Sequence, residues 1–152
     1  GLFGEYPSDK PSNIFPFICR VAIGEYDQLK IFGNDWPTKD GTGVRDYIHV
    51  MDLAEAHKSA LNFLIGGKSQ FIKVNIGTGK GKSVLELVKT FEKVNGCKIP
   101  FVFVNRRKGD VPFLVAQNEL AISLLNWYPK KSFEDMCIDG YRWQTKNPKG
   151  YC

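Results

Sequence analysis

The chain has 152 residues, of which 43% are hydrophobic and 24% are charged. This composition is typical of a globular domain and excludes an intrinsically disordered chain. No apolar run approaches the roughly 20 residues of a membrane-spanning helix, so we expect neither a membrane span nor a secretory signal. The formal charge of +5 favours anionic partners: nucleic acid, a membrane surface or a phosphorylated small molecule.

The four cysteines lie far apart in the sequence and form no Cys-x-x-Cys pair, which argues against a metal or redox motif. We expect buried or inert thiols in a reducing compartment, because free cysteine is among the most buried residue types. These residues are Cys19, Cys97, Cys137 and Cys152.

Turn residues and hydrophobic periodicity predict the first elements in chain order. Asn13 is positioned to cap a short helix that Gly24 ends. Residues 29–32 form a strand, a turn-rich loop covers 33–43, and residues 47–50 form a β-rich segment leading into a second helix.

In this second helix Asp52 and Glu55 have the spacing of a capping box, and Gly66 ends the helix. One apolar stripe is expected on the buried face of the helix. It consists of Leu53, Ala56, Ala60, Leu61 and Leu64.

The second half alternates strands and helices. Residues 71–76 and 99–104 are predicted strands, and Ser83 with Glu86 forms a capping box for the helix between them. A short helix begins at Asn118, and the last helix runs from Ser132 to about Lys146. This order predicts an α/β fold with a sheet that is at least partly parallel, and the small number of strands indicates that the sheet is incomplete in this chain.

The glycine-rich turn at residues 77–83, GTGKGKS, is similar to a phosphate-binding loop, but three residues instead of four precede its Gly-Lys-Ser. We interpret it as a tight structural turn, with a phosphate site as the alternative. Tyr-x-x-x-Lys occurs at Tyr6/Lys10 and Tyr26/Lys30, but neither pair has a helical setting. His49 and His57 do not belong to a pattern of candidate metal ligands in the sequence, and we expect both to be structural.

Two loops carry arginines suited to a phosphorylated ligand. Residues 106–110, RRKGD, could hold phosphate through the guanidinium groups and ribose hydroxyls through the carboxylate, or form a solvated basic turn. Arg45 is either a phosphate ligand or part of a surface ion pair.

Residues 41–54, GTGVRDYIHVMDLA, resemble the C-terminal half of the UDP-glucose 4-epimerases, which are extended short-chain dehydrogenases/reductases. The similarity runs almost end to end. It includes the segments PSNIFPFI (11–18), IFGNDWPT (31–38), VNIGTG (74–79), RRKGD (106–110) and WQTKNP (143–148).

The resemblance implies that residues 1–152 are the substrate-binding portion of a Rossmann-type extended short-chain dehydrogenase/reductase, without its N-terminal NAD-binding half. Asn13 and Ile14 would then contact the diphosphate and the sugar. The uracil would lie against Lys30, Ile31 and Phe32, mainly through backbone groups and the Phe32 ring.

The same resemblance makes Arg45 and Arg107 the diphosphate ligands and Asp110 the ligand of the uridine ribose. Leu114 would line the hexose pocket, where some bacterial members carry Tyr and animal members Cys. The catalytic Tyr, its Lys partner and the NAD loop belong to the other half, so the resemblance implies an inactive chain with no catalytic residue.

For the whole enzyme the resemblance implies a cytoplasmic, NAD-dependent homodimer that interconverts UDP-hexoses, and the chain alone is expected to self-associate. One alternative is another nucleotide-sugar enzyme of the same superfamily, a dehydratase or decarboxylase. A second is a basic nucleic-acid-binding module that uses Phe101 and Phe103 for stacking, but no RNA-binding or zinc motif supports it.

Overall fold

The computed structural model describes residues 2–7, 11–67 and 71–151. Within these ranges the chain forms five α-helices and five short strands. In chain order they are α1 (Ile14–Ala22), β1 (Leu29–Phe32), β2 (Val44–Asp46), α2 (Val50–Ile65), β3 (Gly81–Ser83), α3 (Val84–Asn95), β4 (Phe101–Val104), β5 (Phe113–Leu114), α4 (Glu119–Leu125) and α5 (Phe133–Lys146).

The strands make two small sheets. β1 and β4 pair in parallel, with Phe32 opposite Val104. β2 lies between β3 and β5, antiparallel to β3 and parallel to β5. The predicted α/β class with a partly parallel, incomplete sheet is therefore confirmed.

The hydrophobic core lies where α1, α3 and α5 cover the β1–β4 pair. Alternate residues of β1 point into this core, which leaves Lys30 and Phe32 on the opposite face. The ring of Phe91 on α3 is fully buried and meets Tyr141 of α5 edge-on, with 5.7 Å between ring centroids. Other buried members of this core are Ile18, Cys19, Leu29, Ile31, Leu87, Val88 and Cys137.

Most helix ends lie where the sequence predicts them. Ser83 and Glu86 form both hydrogen bonds of a capping box at the start of α3. α3 ends at Asn95 and is followed by Gly96, whose φ of 64° suits a residue without Cβ. Ser132 and Asp135 form a second capping box at the start of α5. These ends were predictable because capping depends on local hydrogen bonds.

The start of α2 was predicted wrongly. α2 begins at Val50 instead of after Asp52, and the Nδ1 of His49 caps it by accepting a hydrogen bond from the Met51 N–H, 3.1 Å away. The Asp52 carboxylate does not cap the helix because it accepts the backbone N–H groups of Lys130 and Lys131. The preceding strand is likewise residues 44–46, not the predicted segment 47–50.

The predicted strand at residues 71–76 is also wrong, because this segment has no strand structure and Phe71 is 84% exposed. A strand is stabilised by hydrogen bonds to a neighbour, and no strand of the described residues pairs with this segment. The three-residue strand β3 and the two-residue strand β5 were missed, because strands this short show no alternation of apolar and polar residues. Within the described ranges, no helix is long and apolar enough to cross a bilayer.

Candidate nucleotide-sugar site

A cavity of about 740 Å³ lies beside the β1–β4 pair and the first turn of α1. Eight of the nine predicted site residues line it, although they come from four separate parts of the sequence. They are Asn13, Ile14, Lys30, Ile31, Phe32, Arg45, Arg107 and Asp110.

The wall nearest α1 is formed by the helix start and by β1. Asn13 is the N-cap residue of α1, but its side chain makes no capping hydrogen bond and is exposed. The Asn13 amide therefore does not make the capping hydrogen bond that the sequence pattern predicts. Parallel pairing with β4 fixes β1, so that Lys30 and Phe32 face away from the core.

Arg107 and Phe32 form a stacked pair at the cavity wall. The guanidinium carbon of Arg107 lies 4.3 Å from the centroid of the Phe32 ring, within the range of a cation–π contact. β4 brings Arg107 there because Val104 is opposite Phe32 and Arg107 follows three residues later. An aromatic face and a positive charge therefore adjoin each other in one cavity.

Arg45 and Asp110 contact each other at another part of the wall. Arg45 donates Nη1 hydrogen bonds to the carbonyls of Val44 and Val111, at 2.8 and 2.9 Å. Its Nη2 lies 3.4 Å from Oδ1 of Asp110. The two carbonyl contacts fix the guanidinium, while the long contact to Asp110 leaves that carboxylate acceptor capacity.

The glycine-rich turn serves a structural purpose, as the sequence interpretation favours. The carboxylate of Asp46 accepts hydrogen bonds from the N–H groups of Thr78 and Gly79, both at 2.9 Å, and from Ala116 at 3.3 Å. An anion at this turn would compete with a resident carboxylate for the same N–H groups. The turn therefore does not fit a phosphate of NAD.

Sequence reasoning missed Tyr47, which also lines the cavity. Its hydroxyl is buried without a hydrogen-bond partner among the described residues. Burial raises the pKa of Tyr47 to about 12, and the charge of Arg45 offsets part of this rise. The hydroxyl is therefore a neutral donor at pH 7, and nothing in its sequence context distinguishes it from a core aromatic residue.

Leu114 differs from the other predicted site residues. Leu114 lies opposite Arg45 in the β2–β5 pair and is 62% exposed. It does not line the cavity described above. The chain turns onto the edge of β2 after Asp110, which carries Leu114 away from the α1 wall. Its contact with a hexose stays a prediction.

Among the described residues, no three His, Cys, Asp or Glu side chains are grouped so that they could bind a metal ion. Burial raises the pKa of the Cys19 and Cys137 thiols to about 12 in each case, and it also raises the pKa of Cys97. His49 caps α2 and faces Asp139, as a structural histidine would. Cys152 and Lys10 lie outside the described residues.

Comparisons with known proteins show what this chain is similar to. The sequence model of a family described as GDP-mannose 4,6 dehydratase matches residues 6–139. The UDP-glucose 4-epimerase of Bacillus subtilis is 49% identical over 151 residues, which is 99% of this chain and 44% of that protein. The Drosophila melanogaster enzyme is 47% identical, over 99% of this chain and 43% of its own length.

Solved structures give the same result. The UDP-glucose-4-epimerase of Stenotrophomonas maltophila with bound NAD and formylated UDP-arabinopyranose has a TM-score of 0.91 and 46% identity, over 95% of this chain and 43% of that one. The Bifidobacterium longum enzyme in complex with NAD+ and UDP has a TM-score of 0.92 and 41% identity, over 97% and 43%.

This chain thus spans under half the length of the relatives it matches. The matched family model and these similarities show that the chain belongs to the extended short-chain dehydrogenase/reductase family, in which it is similar to the UDP-glucose 4-epimerases.

Proposed function

We propose that residues 1–152 provide the UDP-sugar-binding half of an NAD-dependent UDP-glucose 4-epimerase that interconverts UDP-glucose and UDP-galactose. The observation that carries the proposal is the convergence of eight predicted ligand residues on one cavity. The proposal includes a homodimeric whole enzyme and a cytoplasmic location, where free thiols such as the buried Cys19 stay reduced.

In this proposal the cavity holds the uridine diphosphate. The uracil lies against the backbone of β1 and the Phe32 ring, Asp110 accepts hydrogen bonds from the ribose hydroxyls, and Arg107 binds the diphosphate. A guanidinium presents several N–H donors in a planar fork, so it binds phosphate oxygens in a defined orientation. Arg45, fixed by two carbonyls, adds positive charge on the same wall.

The role proposed for this chain is binding and orientation, with no catalytic residue. NAD accompanies the relatives in their solved structures, but the glycine turn of this chain does not fit its phosphates. We therefore assign the hydride-transfer residues to the part of the relatives that this chain does not match.

A nucleotide-sugar dehydratase is the second candidate, because the matching family model bears that description. The two candidates differ in the base they bind, since the family description names GDP-mannose and the curated relatives are UDP-glucose 4-epimerases. Titration calorimetry of the chain with UDP and with GDP separates them. We expect binding of UDP in preference to GDP, and the reverse preference would favour the dehydratase.

Arg107→Ala tests the site itself. We expect it to weaken UDP binding by roughly 1.5–3 kcal/mol, the range for a hydrogen bond to a charged group. Arg107→Lys should restore only part of this, because an ammonium cannot bind two oxygens in a planar fork. Arg142→Ala, at an exposed arginine on α5, is the matched control and should bind UDP normally.

Equal UDP affinity of the unsubstituted chain, Arg107→Ala and Arg142→Ala would contradict the site assignment. Salt-sensitive binding of short oligonucleotides without UDP binding would instead support the nucleic-acid alternative.

A further inference from the structure

Arg106, the residue before the proposed phosphate ligand, is tied to the loop that follows β1. Its Nε lies 2.7 Å from Oδ1 of Asp35, and its guanidinium carbon lies 4.0 Å from the ring centroid of Trp36. The hydrogen bond from Arg106 holds the pKa of Asp35 below its usual range. Arg106 itself is not among the residues that line the cavity in the described part of the chain, whereas Trp36 is.

Trp36 is in turn packed onto the end of β1. Its Nε1 donates a 3.2 Å hydrogen bond to the carbonyl of Phe32. Gly33 has a φ of 86°, and a Cβ there would lie 2.5 Å from Nε1 of Trp36 and 2.9 Å from Cγ of Arg106. The close approach of both side chains to this backbone therefore requires glycine at position 33.

Within the described residues, Arg107 has no ion pair comparable to that between Arg106 and Asp35. Its guanidinium contacts the Phe32 ring, and the residue is exposed. The turn that carries it closes through a 3.2 Å hydrogen bond from the Asp110 N–H to the Arg107 carbonyl. The direction of the Arg107 side chain therefore depends on how the preceding backbone is held, and Arg106 connects this backbone to the loop that follows β1.

We propose that Arg106 is a positioning residue, which holds the turn at residues 105–110 against Asp35 and Trp36 so that Arg107 faces the diphosphate. This inference rests on the proposed function. It assigns Arg106 a role through geometry, as distinct from direct contact with the ligand or a general contribution of positive charge.

The test compares UDP with uridine, because uridine lacks the phosphates that Arg107 would bind. Calorimetry is performed on the chain with Arg106→Ala and Arg106→Lys, each alone and combined with Arg107→Ala. We expect Arg106→Ala to weaken UDP binding about tenfold, the scale of losing one stacked and paired arginine, with uridine affinity changed less than twofold. Arg106→Lys should weaken UDP binding nearly as much, since lysine keeps the positive charge but lacks the planar set of N–H donors of a guanidinium.

The double variant isolates the positioning role. In the Arg107→Ala background, Arg106→Ala should have no further effect on UDP binding, because the residue that it positions is gone. An additive loss would mean that Arg106 binds the ligand directly. Normal UDP binding by Arg106→Lys would mean that only charge matters. Equal losses for UDP and uridine would mean a general structural effect. Each of these results overturns the inference.

Circular dichroism and thermal unfolding check that the variants fold. Asp35→Asn is the milder variant if Arg106→Ala does not fold, since it removes the ion pair while Arg106 and Trp36 remain. It should weaken UDP binding by about twofold, as expected for an exposed ion pair, and unchanged UDP binding would contradict the inference. Failure of the unsubstituted chain to bind UDP would reject the proposed function and the inference together. Weaker UDP binding by Arg107→Ala but normal UDP binding by Arg106→Ala would reject the inference alone.

Discussion

The helices α2 and α3 carry similar leucine-containing stripes but differ in burial. On α3, Leu87 is fully buried because the helix packs against α5 and the β1–β4 pair. On α2, Leu61 and Leu64 are 57% and 54% exposed, and of the predicted stripe Ala56 is the buried member. An amphipathic pattern therefore indicates which face a helix buries against a partner, but not whether this chain supplies the partner.

Polar contacts hold the first turns of α2. His49 caps it, and the Asp52 carboxylate accepts N–H groups from the chain before α5. Trp127 donates its indole N–H to the carbonyl of Asp52. The helix is thus fixed by polar contacts at one end, while Leu61 and Leu64 on its apolar face are exposed. Stability should depend strongly on α3 and weakly on the exposed face of α2.

Identical substitutions on the two helices test this difference most directly. Leu87→Ala should lower the free energy of unfolding by about 2–5 kcal/mol, because it leaves a cavity in a close-packed core. Leu61→Ala should change it by less than about 0.5 kcal/mol, as is usual at exposed sites. Urea unfolding measures both, and similar values for the two variants would contradict the contrast.

Alkaline pH should weaken the core through its thiols. The folded-state pKa values of Cys19 and Cys137 are raised to about 12 from 9.0. Their contribution to stability is fully present below pH 9 and is lost as the pH rises from 9 towards 12. The loss is about 1.4 kcal/mol per pH unit for each thiol.

Urea unfolding between pH 8 and 11, under reducing conditions, measures this slope. Cys19→Ala should make the slope shallower, whereas Cys97→Ala, at a partly exposed thiol, should change it less. A slope that is the same in all three proteins would show that the buried thiols do not cause the loss.

The exposed face of α2 should promote self-association of the chain, since uncovered apolar surface costs roughly 25 cal/mol per Å². Leu61→Glu with Leu64→Glu should shift sedimentation towards the monomer. Asn62→Glu adds charge at an exposed polar position of the same helix and should have a smaller effect. A concentration-independent monomer for the unsubstituted chain would contradict the expectation.

The candidate site shows how far sequence reasoning reaches. Arg107 and Asp110 were identifiable because a run of basic residues and a nearby carboxylate after a strand suit a nucleotide, and the resemblance assigned them roles. Nothing in the sequence indicated that Arg106 would stack on Trp36, 70 residues earlier, since that contact depends on the parallel pairing of β1 with β4. The unpartnered hydroxyl of Tyr47 was equally unpredictable, because burial and lack of a partner are properties of the whole fold.

The sequence by itself determined the α/β class, the capping box of α3, the start of α5 at Ser132, the glycine that follows α3 and the family of the chain. These features depend on neighbours within a few residues or on a pattern preserved along the whole chain. Only the tertiary structure decided that His49 caps α2 in place of Asp52, that residues 71–76 have no strand partner among the described residues, and that Asp46 accepts the N–H groups of the glycine turn. Each of these features depends on groups that are distant in the sequence, and the local sequence does not show which of these groups form hydrogen bonds with one another.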